Sequence, residues 1–115
     1  MYRYRYAGNF TNISPKPWLG AWHGSELPML FGTHPQYRGN STAFQYATSA
    51  AMQDAWVALV AGGPAAMDAQ QWPVYQDLAD ARVREFGKAG VVAAEVGVGA
   101  EEAACPASLQ PAVRA

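Results

Sequence analysis

The chain has 115 residues, half of them hydrophobic, with a formal net charge of −1 and a sequence pI near 6.0. That length and composition suit a single packed domain and exclude a disordered chain. No block of Lys and Arg tracks a phosphate backbone, which argues against a nucleic-acid partner, and no apolar stretch is long enough to span a bilayer.

The N-terminus, MYRYRYAGNF, opens on alternating Tyr and Arg where a signal peptide has an apolar region, so no secretory signal is read there. Residues 2–6, YRYRY, alternate at period two. This predicts a strand with Tyr2, Tyr4 and Tyr6 on one face and Arg3 and Arg5 on the other. Residues 9–17, NFTNISPKP, form a loop by their prolines and asparagines. They carry two glycosylation triplets, at Asn9 and Asn12, and a third follows at Asn40.

The stretch WLGAWHGSELPMLFG, Trp18 to Gly32, holds His23 between Gly20 and Gly24. Pro28 within Leu27 to Phe31 points to a short helix or an irregular packed segment, and residues 33–41 read as a further loop holding His34. From Ser41 or Thr42, a good N-cap, a long helix is predicted. Phe44, Ala47, Ala51, Ala55 and Leu59 mark its buried face, Met52, Trp56 and Val60 widen it, and Gly62-Gly63-Pro64 stops it. Trp72 and Tyr75 pin a mixed segment over 65–81. Residues 82–90 read as a strand turning at Lys88-Ala89-Gly90, with Val91 to Val98 as its partner. The end of the tail is expected to be poorly ordered. The single cysteine, Cys105, is either a free thiol or a half-cystine with its partner outside this chain.

One strong strand, one strong helix and many aromatic loops make an incomplete inventory, since a lone strand leaves its backbone groups unpaired and one amphipathic helix needs a further layer. The expectation is the last part of a larger α/β fold. The segments RYRYAGNF, WLGAWHGSELPMLFG, SAAMQDAWVALVA and WPVY, in that order, resemble the C-terminal end of type B carboxylesterases. This is the carboxylesterase, lipase and cholinesterase family of α/β-hydrolases, and YAGNFTNISP and SELPMLFGTH look most like its fungal secreted members.

The resemblance implies a C-terminal fragment of an α/β-hydrolase: residues 1–92 as part of a carboxylesterase type B domain, and residues 93–115 as a weakly matching, flexible tail. YRYRY stands where the family has the last strand of its sheet, His23 where it has its catalytic histidine, and the Met52–Trp56 helix where it has a helix covering the sheet. Trp72 and Pro73 match a late aromatic anchor. Glu26 matches an acidic position after the histidine and is not the triad acid. It is either a hydrogen-bonding neighbour of the site or a cap on the following turn.

The implied activity is serine hydrolysis of carboxylic esters. The histidine takes the serine proton and returns one to the leaving alkoxide, which suits a pKa near neutrality. No G-x-S-x-G elbow occurs in the chain, and the family's triad runs Ser, then acid, then His. Nucleophile and acid are therefore expected upstream, and the chain is expected to be inactive alone. No cofactor or metal is implied, because the glycines and Pro28 disfavour a regular helix that would set His23, Glu26 and His34 as ligands. The implied partners are a small-molecule ester and the upstream part of the fold, in a secreted, glycosylated parent. A non-catalytic cholinesterase-like binding or adhesion module, or an inactive truncated product, are the alternatives.

Overall fold

The structure, a computed structural model, describes residues 1–75 and 81–103. In chain order the elements are β1 (Tyr4–Tyr6), α1 (Leu27–Leu30), a 3-10 turn (His34–Gln36), α2 (Ala43–Ala69), β2 (Arg82–Lys88), β3 (Val91–Gly97) and α3 (Gly99–Ala103). The strands form one sheet in the order β1-β2-β3. β1 runs parallel to β2, with Tyr4 opposite Arg84 and Tyr6 opposite Phe86, and β2 runs antiparallel to β3. A mixed sheet with helices is the α/β class expected. No helix among the described residues is long and apolar enough to cross a membrane.

One expectation about this region needs correction. Tyr4–Tyr6 is not the last strand, because β2 and β3 follow it and β2 pairs with it directly. β3 pairs with β2 between Val91, opposite Lys88, and Gly97, opposite Arg82. Cys105 and the end of the tail lie outside the described residues.

The hairpin forms where the turn signal stands. Ala89 and Gly90 make a two-residue connection, both with positive φ (48° and 83°), as a type I′ turn requires to match the twist of its strands. Within β2, Gly87 has φ of 80°, and a Cβ there would lie 3.2 Å from Gly8 Cα and 3.4 Å from Thr48 Cγ2. Its lack of a side chain lets the sheet close on both the chain after β1 and α2.

Thr42 caps α2 as expected, its hydroxyl accepting from the Gln45 amide at 3.1 Å. Gly63 breaks the helix (φ 60°, ψ −150°), but Pro64 opens a further helical stretch to Ala69 instead of ending it. The buried face also differs from the apolar stripe. Gln45, Thr48, Ser49, Met52 and Ala55 are buried, whereas Ala47, Leu59 and Val60 are exposed, Val60 by 87%. The buried polar groups have partners: Gln45 donates to Asn12 Oδ1, Thr48 to the Phe44 carbonyl and Ser49 to the Met29 carbonyl.

The main core joins Phe10, Ile13, Met29, Met52, Ala55, Met67, Trp72 and Phe86, between α2 and the sheet. Trp56, Trp72 and Phe86 pack as an aromatic triangle with centroids 5.7–6.3 Å apart. The Trp72 indole donates to the Arg3 carbonyl at 3.1 Å, fixing the segment before β2 on β1.

The hydrogen-bond direction along β1 leaves one edge open. The Arg84 amide donates to the Arg3 carbonyl and the Ala7 amide to the Phe86 carbonyl, so the odd residues of β1 face β2. The backbone groups of Tyr4 and Tyr6 point the other way, where no strand lies among the described residues.

Candidate active site

His23 stands at the tip of a turn. The Ser25 amide donates to the Trp22 carbonyl at 3.0 Å, so His23 and Gly24 are the two central residues. Gly24 takes φ of 84°, the value a type II turn demands at its third position, and a side chain there would be strained although nothing lies within 4 Å. The turn lifts the His23 ring into solvent, and among the described residues nothing hydrogen-bonds it.

The support under this turn is buried. The chain folds back over residues 10–14, with the Ile13 and Ser14 amides donating to the Phe10 carbonyl at 3.0 and 2.7 Å. Ser14 Oγ donates to the Gly20 carbonyl at 2.6 Å, and the Trp22 indole donates to the Ile13 carbonyl at 3.3 Å. Both ends of the loop before His23 therefore rest on residues 13 and 14. After His23, Ser25 is fully buried, its hydroxyl has no partner, and α1 begins with Pro28 in its first turn.

Asn12 anchors this support. Only 4% of Asn12 is exposed. Its amide nitrogen lies 3.1 Å from the His34 carbonyl, 3.2 Å from the Gly39 carbonyl and 3.1 Å from Ser41 Oγ, while its oxygen accepts from Gln45 at 2.9 Å. A sugar on that nitrogen would displace these bonds and open the core. Asn9 and Asn40, by contrast, are exposed. Sequence reading missed the structural role of Asn12, because an Asn-x-Ser triplet looks the same whether its amide faces solvent or carbonyls.

His34 belongs to the same buried group. It is 1% exposed, its Nδ1 is 2.6 Å from Ser41 Oγ, and its ring meets the Tyr46 ring edge-on at 4.8 Å. Burial holds its pKa below the ordinary histidine value. No group of three metal-ligating side chains occurs among the described residues, and His34 faces Ser41 instead of His23.

Glu26 occupies the N-cap position of α1 without a side-chain cap bond. Burial raises the Tyr4 and Tyr6 pKa values, and the charge of Glu26 raises them further, so its carboxylate lies on the side of β1. Trp18 (78%), Trp22, Leu27 and Phe31 (71%), which flank His23 along the chain, are exposed and form an apolar collar to it in sequence. A cavity of about 460 Å³ borders the loop at Gly20 and Ala21, but Arg5, Glu85, Lys88 and Glu101 line it, a charged cleft unsuited to an apolar acyl chain.

No protein-family model matches the chain, and no solved structure matches it. Two curated proteins do. Chlorogenic acid esterase of Aspergillus niger is 61% identical over 59 residues, covering 51% of this chain and 12% of that protein. Secreted lipase 5 of Gibberella zeae is 47% identical over 72 residues, covering 63% of this chain and 13% of that protein. The matched part of the chain thus spans about an eighth of the length of these relatives. The resemblance read from the sequence stands: over this segment the chain is similar to a fungal esterase and a fungal secreted lipase.

Proposed function

We propose that this chain is the C-terminal section of a secreted carboxylic-ester hydrolase and supplies its general acid–base, His23. The observation that carries the reading is the placement of His23: exposed at the tip of a glycine turn, on a buried framework, in a chain 61% identical over 59 residues to a named esterase. A proton-transferring imidazole must reach a nucleophile from outside its own turn, and a solvent-facing ring on a hydrogen-bonded support has that reach. The serine and the acid that complete the triad come from the section preceding β1, whose strands pair with the open Tyr4 and Tyr6 edge. The collar of Trp18, Trp22, Leu27 and Phe31 is covered in part by that section and in part by the ester. In the secreted parent, Asn9 and Asn40 are the glycan acceptors and Asn12 is not.

The test is a graft. Residues 2–75 replace the matching segment of the Aspergillus niger esterase, and hydrolysis of a p-nitrophenyl ester is measured. The graft is expected to turn over, and His23→Ala within it is expected to lose a factor on the order of 10⁴–10⁶ in kcat. The isolated chain is expected to match the uncatalysed background with or without His23. A folded graft with no turnover would favour a binding module, for which the exposed aromatic collar is also suited. Turnover untouched by His23→Ala would remove His23 from the mechanism.

A further inference from the structure

We infer that His34, Ser41 and Asn12 form an acid-sensitive latch that holds the His23 turn in position, and that protonation of His34 releases it.

The hydrogen-bond directions fix the chemistry. Ser41 Oγ has one proton to give. The two protons of the Asn12 amide are shared among Ser41 Oγ and the His34 and Gly39 carbonyls, at 3.1–3.2 Å. With the proton of the neutral ring on Nε2, the 2.6 Å contact to His34 Nδ1 is a bond in which Ser41 donates and Nδ1 accepts. His34 is neutral in this arrangement, with its proton on Nε2. Protonation places a second donor, Nδ1–H, against an oxygen that already points its own proton there. Ser41 must turn its hydroxyl away, and no other acceptor for it is found among the described residues.

Nothing around the ring compensates the charge. The ring meets Ser41 from the loop before α2 and Tyr46 from α2, while Asn12 bonds the His34 backbone carbonyl. Tyr46 is the titratable one, and among the described residues no ion pair involves His34. Ser41 directly precedes Thr42, the N-cap of a long helix, whose end carries partial positive charge and opposes an imidazolium. The ring is 1% exposed, so water cannot solvate it without local opening.

The latch reaches His23 through a short path. Asn12 joins His34 and Ser41 to residues 13 and 14, and these hold Gly20 and Trp22 on either side of the loop that ends at His23. Charging His34 reverses the Ser41 bond, leaves the Ser41 proton without its acceptor and loosens Asn12, and the turn then loses its floor. This inference rests on the buried network and not on ester hydrolysis, so its test needs no turnover.

The chain has only two histidines, so the two imidazoles can be followed separately by NMR in the full chain, from about pH 8 to about pH 5. The Trp22 indole N–H, assigned with Trp22→Phe, reports the turn. His34 is expected to titrate below the ordinary histidine value, and the indole is expected to lose its exchange protection at the same midpoint. His34→Gln, a neutral side chain that can accept from Ser41, is expected to keep that protection into acid. Ser41→Ala is expected to raise the His34 midpoint and to separate it from the indole response. The inference is overturned if the indole follows the His23 midpoint or ignores His34. It is equally overturned if His34 titrates at the ordinary value, which includes a chain with no protected indole at the alkaline end.

Discussion

Asn12 and Ser25 are both buried polar residues beside the His23 turn, and they predict opposite outcomes. Asn12→Ala strands the His34 carbonyl and the Gln45 amide in the interior. Each unpaired buried group costs about 1–3 kcal/mol, so a loss of about 2–4 kcal/mol is expected as a lower urea midpoint at unchanged slope. Ser25 Oγ is buried with no partner, so Ser25→Ala removes an unsatisfied group. It is expected to leave stability unchanged or to raise it by about 1 kcal/mol in the same measurement. His34 sets a sign for pH. Its folded pKa is lowered by burial, so its contribution is present above the unfolded histidine value of about 6.5 and is lost as pH falls below it toward the folded value. The urea midpoint of the wild type should drop over that window more than that of His34→Gln.

Among the elements, the β2–β3 hairpin was legible because the turn signal and both strands are local in sequence. Its one unfavourable choice is Ala89 at φ of 48°, where a Cβ costs energy that glycine avoids. Ala89→Gly is therefore expected to raise stability by about 0.5–1 kcal/mol, read as a higher melting temperature, while Ala89→Val lowers it. The existence and cap of α2 were also legible, but its buried face was not. Hydropathy counts apolar residues, whereas burial here follows the partners available to Gln45, Thr48 and Ser49. Leu59 and Val60 supplied apolar periodicity yet stay exposed. The turn at His23 was legible from the glycines that flank it. Its support was not, because residues 12–14 and 34–41 meet through side-chain bonds to carbonyls, which no periodicity records.

For the whole molecule, the open edge of β1 governs behaviour in solution. Amides and carbonyls at Tyr4 and Tyr6 that meet no strand among the described residues, with the exposed Leu59 nearby, form a template for another strand. The chain is expected to self-associate as its concentration rises, seen as growing scattering mass. Tyr4→Lys, which puts a charge on that edge while leaving the β2 ladder intact, is expected to reduce the association. Persistence of the same association in Tyr4→Lys would place the contact elsewhere.

The parallel pairing of β1 with β2 has a consequence for biosynthesis. Arg5 and its ion-pair partner Glu85 lie 80 residues apart. At about 5–20 residues per second, a ribosome delivers β1 roughly 4–16 s before the strand that receives it. During that interval β1 lacks β2, and the aromatic triangle lacks Phe86. A nascent chain stalled before β2 should therefore recruit chaperones that bind extended, aromatic-rich segments, and one stalled after β3 has cleared the exit tunnel should not.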